Sequence, residues 1–115
     1  MNLTETIKMF EYLNAAILAC DANFKVIYQN EKCRKLFAEV FGKADYIGCD
    51  LTECHPPAAT KKVEKYFKEY ENNTRDLDYY IMDEPSGKVT VVNVPFYEGD
   101  VFKGVVEFIF MSALA

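Results

Sequence analysis

One short stretch concentrates the residues capable of chemistry. From Gly48 to Tyr70 the chain reads GCDLTECHPPAATKKVEKYFKEY, holding the single histidine, His55, two of the four cysteines and two of the four prolines. Neutral imidazole is the commonest protein ligand for a metal, so His55 is a candidate ligand to haem iron. Cys54, beside it and close to a helix N-terminus, has the setting that lowers a thiol pKa and makes a redox-sensitive group. Each has a structural alternative: a histidine that caps the helix, and an ordinary thiol packed beneath the loop. Cys49 and Cys54-His55 also carry the letters of covalent haem attachment, but with four intervening residues in place of two. The four cysteines, Cys20, Cys33, Cys49 and Cys54, contain no C-x-x-C pair and so lack zinc spacing.

The two prolines specify how this stretch is held. Proline fixes its own φ and drives the preceding residue out of the helical region, which places His55 in an extended segment. From Pro57 a helix is free to run, with Ala59, Val63, Tyr66, Phe67 and Tyr70 on one apolar stripe and Lys61, Lys62, Glu64, Lys65, Lys68 and Glu69 mostly opposite. Asn72-Asn73 ends it, since Asn tolerates the left-handed conformation.

The remaining elements follow from the same signals. Leu3 to Asn14 is an amphipathic helix with Thr4 or Thr6 as cap. Ala16–Cys20 and Lys25–Gln29 form a hairpin about the Asp21-Ala22-Asn23 turn. Asn30 caps a second helix whose stripe is Cys33, Leu36, Phe37, Val40 and Phe41, with Gly42 as its stop. Ala44 to His55 is a looser connection containing short helical turns. Strands Asp76–Met82, Lys88–Tyr97 and Val101–Met111 are joined by turns at 83–87 and 98–100. Strands, then helices, then strands describe an α+β domain with one antiparallel sheet. In AAILAC, KVTVVNV and VVEFIFM both side-chain parities are apolar, so the sheet's outer face is expected to be covered as well. The N-terminal helix, a second copy of the chain or a partner domain could do this.

Composition bounds the function. The 115 residues are half apolar with a net charge of −5, and no run of lysine or arginine forms a phosphate-binding stripe, which argues against nucleic acid as a partner. The longest apolar run, Ala15–Cys20, is too short to span a membrane, and the N-terminus lacks the pattern of a signal peptide. The expectation is a cytoplasmic protein with reduced thiols. The acidic residues are scattered without an acid/base couple, and no triad or phosphate loop occurs, so no enzyme is expected.

With these elements laid out, the chain resembles a PAS domain over nearly its whole length. AILACDANFKVIYQNEKCRKLF is similar to the opening of that family, and VPFYEGDVFKGVVEFIF to its close. GCDLTECHPPAATKKVEKYFKEY resembles a bacterial and archaeal subgroup with Cys-His-Pro-Pro before the long helix. The resemblance implies a sensory or regulatory module: an N-terminal helix over residues 1–14, a domain over 15–111 with a five-stranded antiparallel sheet and helices packed on one face, and a tail over 112–115. It implies a cavity between sheet and helices for a small apolar or planar ligand. The expected lining is His55, Cys54, Phe37, Phe41, Leu51, Val63, Phe67 and Tyr70, with Asn93 as a polar anchor. Phe37, Phe41, Phe67, Tyr70, Tyr79, Phe96 and Phe108 are either such a lining or plain core. Leu51 stands where the flavin-binding branch carries its reactive cysteine, which argues against flavin; haem through His55 stays open. A homodimer through the N-terminal helix and outer sheet face is implied, with a ligand-free dimerisation module as the alternative. Met111-Ser112-Ala113 replaces the Asp-Ile-Thr that often leads into a signalling coiled coil, so the chain is either free-standing or a fragment.

Overall fold

A computed structural model describes residues 2–54, 57–85 and 87–112. His55, with its expected roles as iron ligand or cap, lies outside the described residues, as do the side chain of Cys54 and Ser86 of the expected turn.

The elements run α1 (Leu3–Glu11), β1 (Ala16–Asp21), β2 (Val26–Gln29), α2 (Glu31–Phe41), α3 (Leu51–Cys54), α4 (Pro57–Glu71), β3 (Asp78–Glu84), β4 (Gly87–Glu98) and β5 (Val101–Phe110). The strands form one antiparallel sheet in the order β2-β1-β5-β4-β3. The two chain-terminal regions therefore meet at its centre, where β1 pairs with β5. The α+β class, the strand number and the antiparallel pairing match the sequence reading.

Local chemistry explains most boundaries. Asp21 Oδ1 accepts from Asn23 N at 2.9 Å and Lys25 N at 3.0 Å, closing the β1–β2 turn with Phe24 at φ 69°. Asn30 Oδ1 accepts from Cys33 N at 3.0 Å as the α2 cap, and Gly42 ends that helix at φ 73°. Asn73, at φ 57°, terminates α4. The larger departures from expectation fall on α1 and β3. The cap of α1 is Asn2, whose Oδ1 accepts from Glu5 N at 2.9 Å, and α1 stops at Glu11. Thr6 instead donates its hydroxyl to the Asn2 carbonyl. β3 starts at Asp78 and continues to Glu84, because the pairs Asp83↔Lys88 and Glu84↔Gly87 extend the ladder into the expected loop.

The helices α2, α3 and α4 cover one face of the sheet. Under α2 lie Ala16, Leu18, Val26, Val89, Val91 and Ile109, with Cys33 fully buried among them. Under the end of α4, Cys20, Phe67, Tyr70, Phe102 and Val105 form a second cluster. Aromatic rings tie this cluster: Phe24 stacks on Phe67 at 4.5 Å, and Phe67 meets Phe102 edge-on at 5.5 Å. Gly104 lets β1 approach, since a Cβ there would stand 2.0 Å from the Cys20 carbonyl oxygen.

The other face carries α1. An apolar groove of about 470 Å³ runs between Ile7 and Phe10 of α1 and Ile17, Ala19, Val106 and Phe108 of the sheet. The helix buries none of its own residues; Leu3 is 75% exposed and Ile7 52%. Asn30 anchors its end, donating from Nδ2 to the Phe10 carbonyl at 3.0 Å and the Ala15 carbonyl at 2.8 Å, while Oδ1 also receives Ile17 N at 2.9 Å. Glu11 adds an ion pair to Arg34 and accepts the Tyr28 hydroxyl at 3.0 Å. Tyr79, Phe96 and Phe108 correct the aromatic reading. Tyr79 is 65% exposed, and Phe96 and Phe108 line this outer groove instead of the inner core. Strand parity decides it, because Tyr79, Val92 and Phe108 share one cross-strand row pointing away from α4.

Candidate functional site

A cavity of about 380 Å³ lies between α4 and the sheet, within the size range of small-molecule sites. Its construction follows from two periodicities. On α4 the stripe turns Ala59, Val63, Tyr66, Phe67 and Tyr70 toward the sheet. On the sheet, residues of one parity face α4, so Leu18 and Cys20 of β1, Val105 and Glu107 of β5, Asn93 of β4, and Asp78 and Tyr80 of β3 form the floor. Leu51 of α3 closes one side.

The floor contains an ordered polar row. The register pairs Asp78 with Asn93 and Asn93 with Glu107, and Glu107 with Leu18, so two carboxylates flank one amide across three neighbouring strands. Neighbouring strands lie about 4.8 Å apart, which sets the Asp78 and Glu107 backbones roughly 10 Å apart. Asp78 is largely buried and faces Arg75 Nη1 at 4.0 Å. That guanidinium is drawn elsewhere too: its Nε meets Glu69 Oε2 at 2.5 Å and its plane lies 4.1 Å from the Tyr66 ring centroid. Lys62, an exposed residue of α4, also lies over the Tyr66 ring, 5.7 Å from its centroid. The cations thus gather at the Tyr66 rim, and the carboxylates on the floor.

Tyr70 is the most informative residue. It is 1% exposed, and its hydroxyl is buried without a hydrogen-bond partner among the described residues. Its backbone is held firmly, because the Tyr97 hydroxyl donates to the Tyr70 carbonyl at 2.7 Å. Burial, reinforced by the charge of Asp78, raises the Tyr70 pKa to about 12. Tyr80, although 42% exposed overall, is likewise raised to about 12, by partial burial and then by Glu107 and Asp78. Both phenols are therefore neutral donors at physiological pH. The Cys20 thiol at the cavity wall is raised to about 12, chiefly by burial, and its Sγ lies 3.8 Å from the Val105 carbonyl. A thiol held protonated in this way is a poor nucleophile.

Of the residues expected to line a site, Leu51, Val63, Phe67, Tyr70 and Asn93 are brought together here. Phe37 and Phe41 are not. They form a separate aromatic cluster with Tyr46, at 5.3 and 6.4 Å, and Phe41 is 62% exposed. Helical spacing shows which residues share a face of α2, but not that this face meets β1 and Tyr46, away from the cavity. Cys54 and His55 contribute no described side chain. Asp78, Tyr80 and Glu107 were missed. Glu107 sits in a run that reads as apolar strand and Asp78 and Tyr80 in the strand DLDYYIM, and the available signal was parity with Asn93.

Among the described residues no group of three or more histidine, cysteine, aspartate and glutamate side chains could hold a metal ion. No helix is long and apolar enough to cross a membrane.

No family model matches the sequence, and no curated protein matches it. Solved structures do resemble the fold. A C-terminal domain from Streptococcus mutans superposes with a TM-score of 0.77 at 22% identity, over 95% of this chain and 84% of that one. A PAS domain from Colwellia psychrerythraea gives 0.64 at 22% identity, over 94% of both chains. A sensory box sensor histidine kinase from Vibrio cholerae gives 0.58 at 11% identity, over 94% of this chain and 88% of that one. The chain has the PAS fold, with the five-stranded antiparallel sheet and flanking helices of that class.

Proposed function

We propose that this chain is a sensory or regulatory module of the PAS family that binds a small, largely planar molecule in the cavity between its sheet and α4. The observation that carries this reading is the Tyr70 hydroxyl: a buried hydroxyl without a partner among the described residues, on the wall of a cavity of about 380 Å³. Such a group costs about 1–3 kcal/mol, a cost a ligand would remove. Binding is favoured over catalysis, since the Cys20 thiol at the cavity is held protonated by burial and is a poor nucleophile. Signal transfer would start at α4, whose end is locked to the sheet by the Tyr97–Tyr70 hydrogen bond and the Phe24–Phe67–Phe102 rings. A ligand that repacks α4 would strain β4 and β5, and the sheet would pass the strain to α1 on its other face.

The test is to heat-extract the purified protein, analyse the extract by mass spectrometry and absorption, and titrate any compound back. A near-stoichiometric small molecule that raises Tm on return supports the reading. An empty extract, together with no Tm change across a panel of small aromatic compounds, overturns it. Haem ligation by His55 would show as a Soret band lost in His55→Ala.

A second reading, a dimerisation module, is favoured by the outer face. The groove under α1 is almost wholly apolar, and Leu3, Ile7 and Phe10 stay exposed beside it. A second copy packed there through α1 and the outer strands would cover both. Light scattering would return twice the 13.2 kDa chain mass for the wild type and the single mass for Ile7→Asp; a monomeric wild type rules this reading out.

A further inference from the structure

The two edges of the sheet are finished differently. At the β2 edge the chain covers its own backbone. Val26 N donates to the Cys49 carbonyl at 2.9 Å, Gly48 N donates to the Val26 carbonyl at 2.8 Å, and Lys25 forms a β-bridge with Asp50. At the other edge no strand lies beyond β3 among the described residues. Alternate residues of an edge strand turn their N–H and C=O groups outward, so an uncovered edge is a template for another strand. The seven residues of β3 span about 23 Å and pair with β4 throughout without a bulge. The strand contains no proline or lysine, and its charges stand only at its two ends. Between them Tyr79–Met82 is apolar and exposed, from 37% at Met82 to 65% at Tyr79.

We propose that the β3 edge takes up an extended segment of a partner protein as an added strand, apolar at its centre and with lysine or arginine at both ends. The charge of the edge selects this partner. Residues 76–84 hold four carboxylates and no basic residue. Asp76, just ahead of the strand, and Glu84, at its end, are exposed and form no ion pair among the described residues. The nearby cations are already engaged, Arg75 with Glu69 and Asp78, and Lys88 with Asp83 at 2.6 Å. A strand with basic ends would set a cation beside each exposed carboxylate, while its backbone bonds to β3 and its centre covers Tyr79–Met82. A second copy of β3 fits badly. Antiparallel pairing about Ile81 sets Asp78 opposite Glu84, and moving the axis between Tyr80 and Ile81 sets Asp78 opposite Asp83. Like charges directly opposite are destabilising, and the net charge of −5 adds to the repulsion. Binding along this backbone edge needs neither the α4 cavity nor the groove under α1 to be occupied.

Capped peptides serve as probes against the full chain, followed by two-dimensional NMR and amide hydrogen exchange. The basic probe is Lys-Arg-Val-Thr-Val-Lys-Arg. Its acidic analogue has Glu at every basic position, and its proline analogue has Pro in place of the central Thr. The basic peptide is expected to shift the backbone amides of β3, slow their exchange, and bind about tenfold tighter than the acidic one, less so as salt is raised. The proline peptide should lose nearly all binding, since it keeps the charge but cannot complete the ladder. The double variant Asp76→Lys with Glu84→Lys should weaken the basic peptide about tenfold and strengthen the acidic one. Both side chains are exposed, and the peptide series on the wild type stands without the variant. Equal binding of the basic and acidic peptides would overturn the partner's chemistry. Binding of the proline peptide as tightly as its parent would overturn strand addition, and no shift of the β3 amides at millimolar peptide would overturn both. A wild-type dimer in light scattering with protected β3 amides would assign the edge to a second copy and overturn the basic partner.

Discussion

Replacing Tyr70 by Phe should stabilise the ligand-free protein while weakening what binds in the cavity. The ring of Tyr70 belongs to the cluster with Phe67 and Phe102, at 6.4 and 6.0 Å between centroids, and Phe preserves those contacts. What is lost is a hydroxyl that is buried and has no partner among the described residues. Leaving such a group unsatisfied costs about 1–3 kcal/mol, and deleting one oxygen returns a little of that as lost packing. The net gain should be about 1 kcal/mol, which for a domain of this size raises Tm by about 4 °C. The contrast is Tyr97→Phe, whose hydroxyl donates to the Tyr70 carbonyl at 2.7 Å; there the sign reverses, with a loss of about 1 kcal/mol. The assay is urea unfolding followed by circular dichroism, on protein refolded on a column to remove any bound compound. A higher midpoint for Tyr70→Phe with an unchanged m-value is the expected result. A Tyr70→Phe protein less stable than wild type by 1 kcal/mol or more would refute the reasoning, because the hydroxyl would then have a partner within the folded chain.

Three further outcomes follow from single residues. Asn30→Ala should cost about 3 kcal/mol or more in urea unfolding, since it strips partners from Ile17 N, Cys33 N and the Phe10 and Ala15 carbonyls at once. A loss below about 1 kcal/mol would mean that water replaces the side chain. Gly104→Ala should give little or no folded protein on gel filtration and circular dichroism, because its Cβ would fall 2.0 Å from the Cys20 backbone oxygen; native-like unfolding would show that β1 and β5 separate easily. Stability should hold level up to about pH 9 and then fall, because Cys20 and Cys33 start from 9.0 and are raised by burial to about 12 and about 11. The folded state keeps these protons when the unfolded state releases them, so each pH step above 9 favours unfolding until the folded thiols titrate. Tyr70 and Tyr80, raised from 10.0 to about 12, add to the slope above pH 10. Cys20→Ala should flatten the decline in urea midpoints, and an unchanged slope would mean that Cys20 is wet.

Which parts of this were legible in the sequence follows the range of the forces involved. Asn30, Gly42 and Asn73 mark helix ends through bonds and backbone angles confined to a few residues, so their types alone predict them. The α4 stripe and the hairpin turn at Asp21 are equally local, and from them the class and strand number followed. The α1 cap was missed for a local reason too: Asn2, Thr4 and Thr6 all have capping side chains, and spacing does not rank them.

The cavity floor was decided elsewhere. Asp78, Asn93 and Glu107 are separated along the chain by a turn on either side, and become neighbours only through the register of β3, β4 and β5. Glu107 stands inside VVEFIFM, a run that reads as apolar on both faces, and only the pairing with Asn93 turns it toward α4. The fate of Phe37 and Phe41 shows the same limit from the other side. Their spacing correctly places them on one helix face, but a periodicity carries no record of what that face meets. The sequence by itself determined which residues form helices and strands and which sides are apolar, because those depend on nearest neighbours. Only the tertiary structure decided that an acidic row underlies an aromatic wall, and that the Tyr70 hydroxyl is buried there without a partner among the described residues, because hydrogen bonding and charge at a site depend on groups brought together from distant parts of the chain.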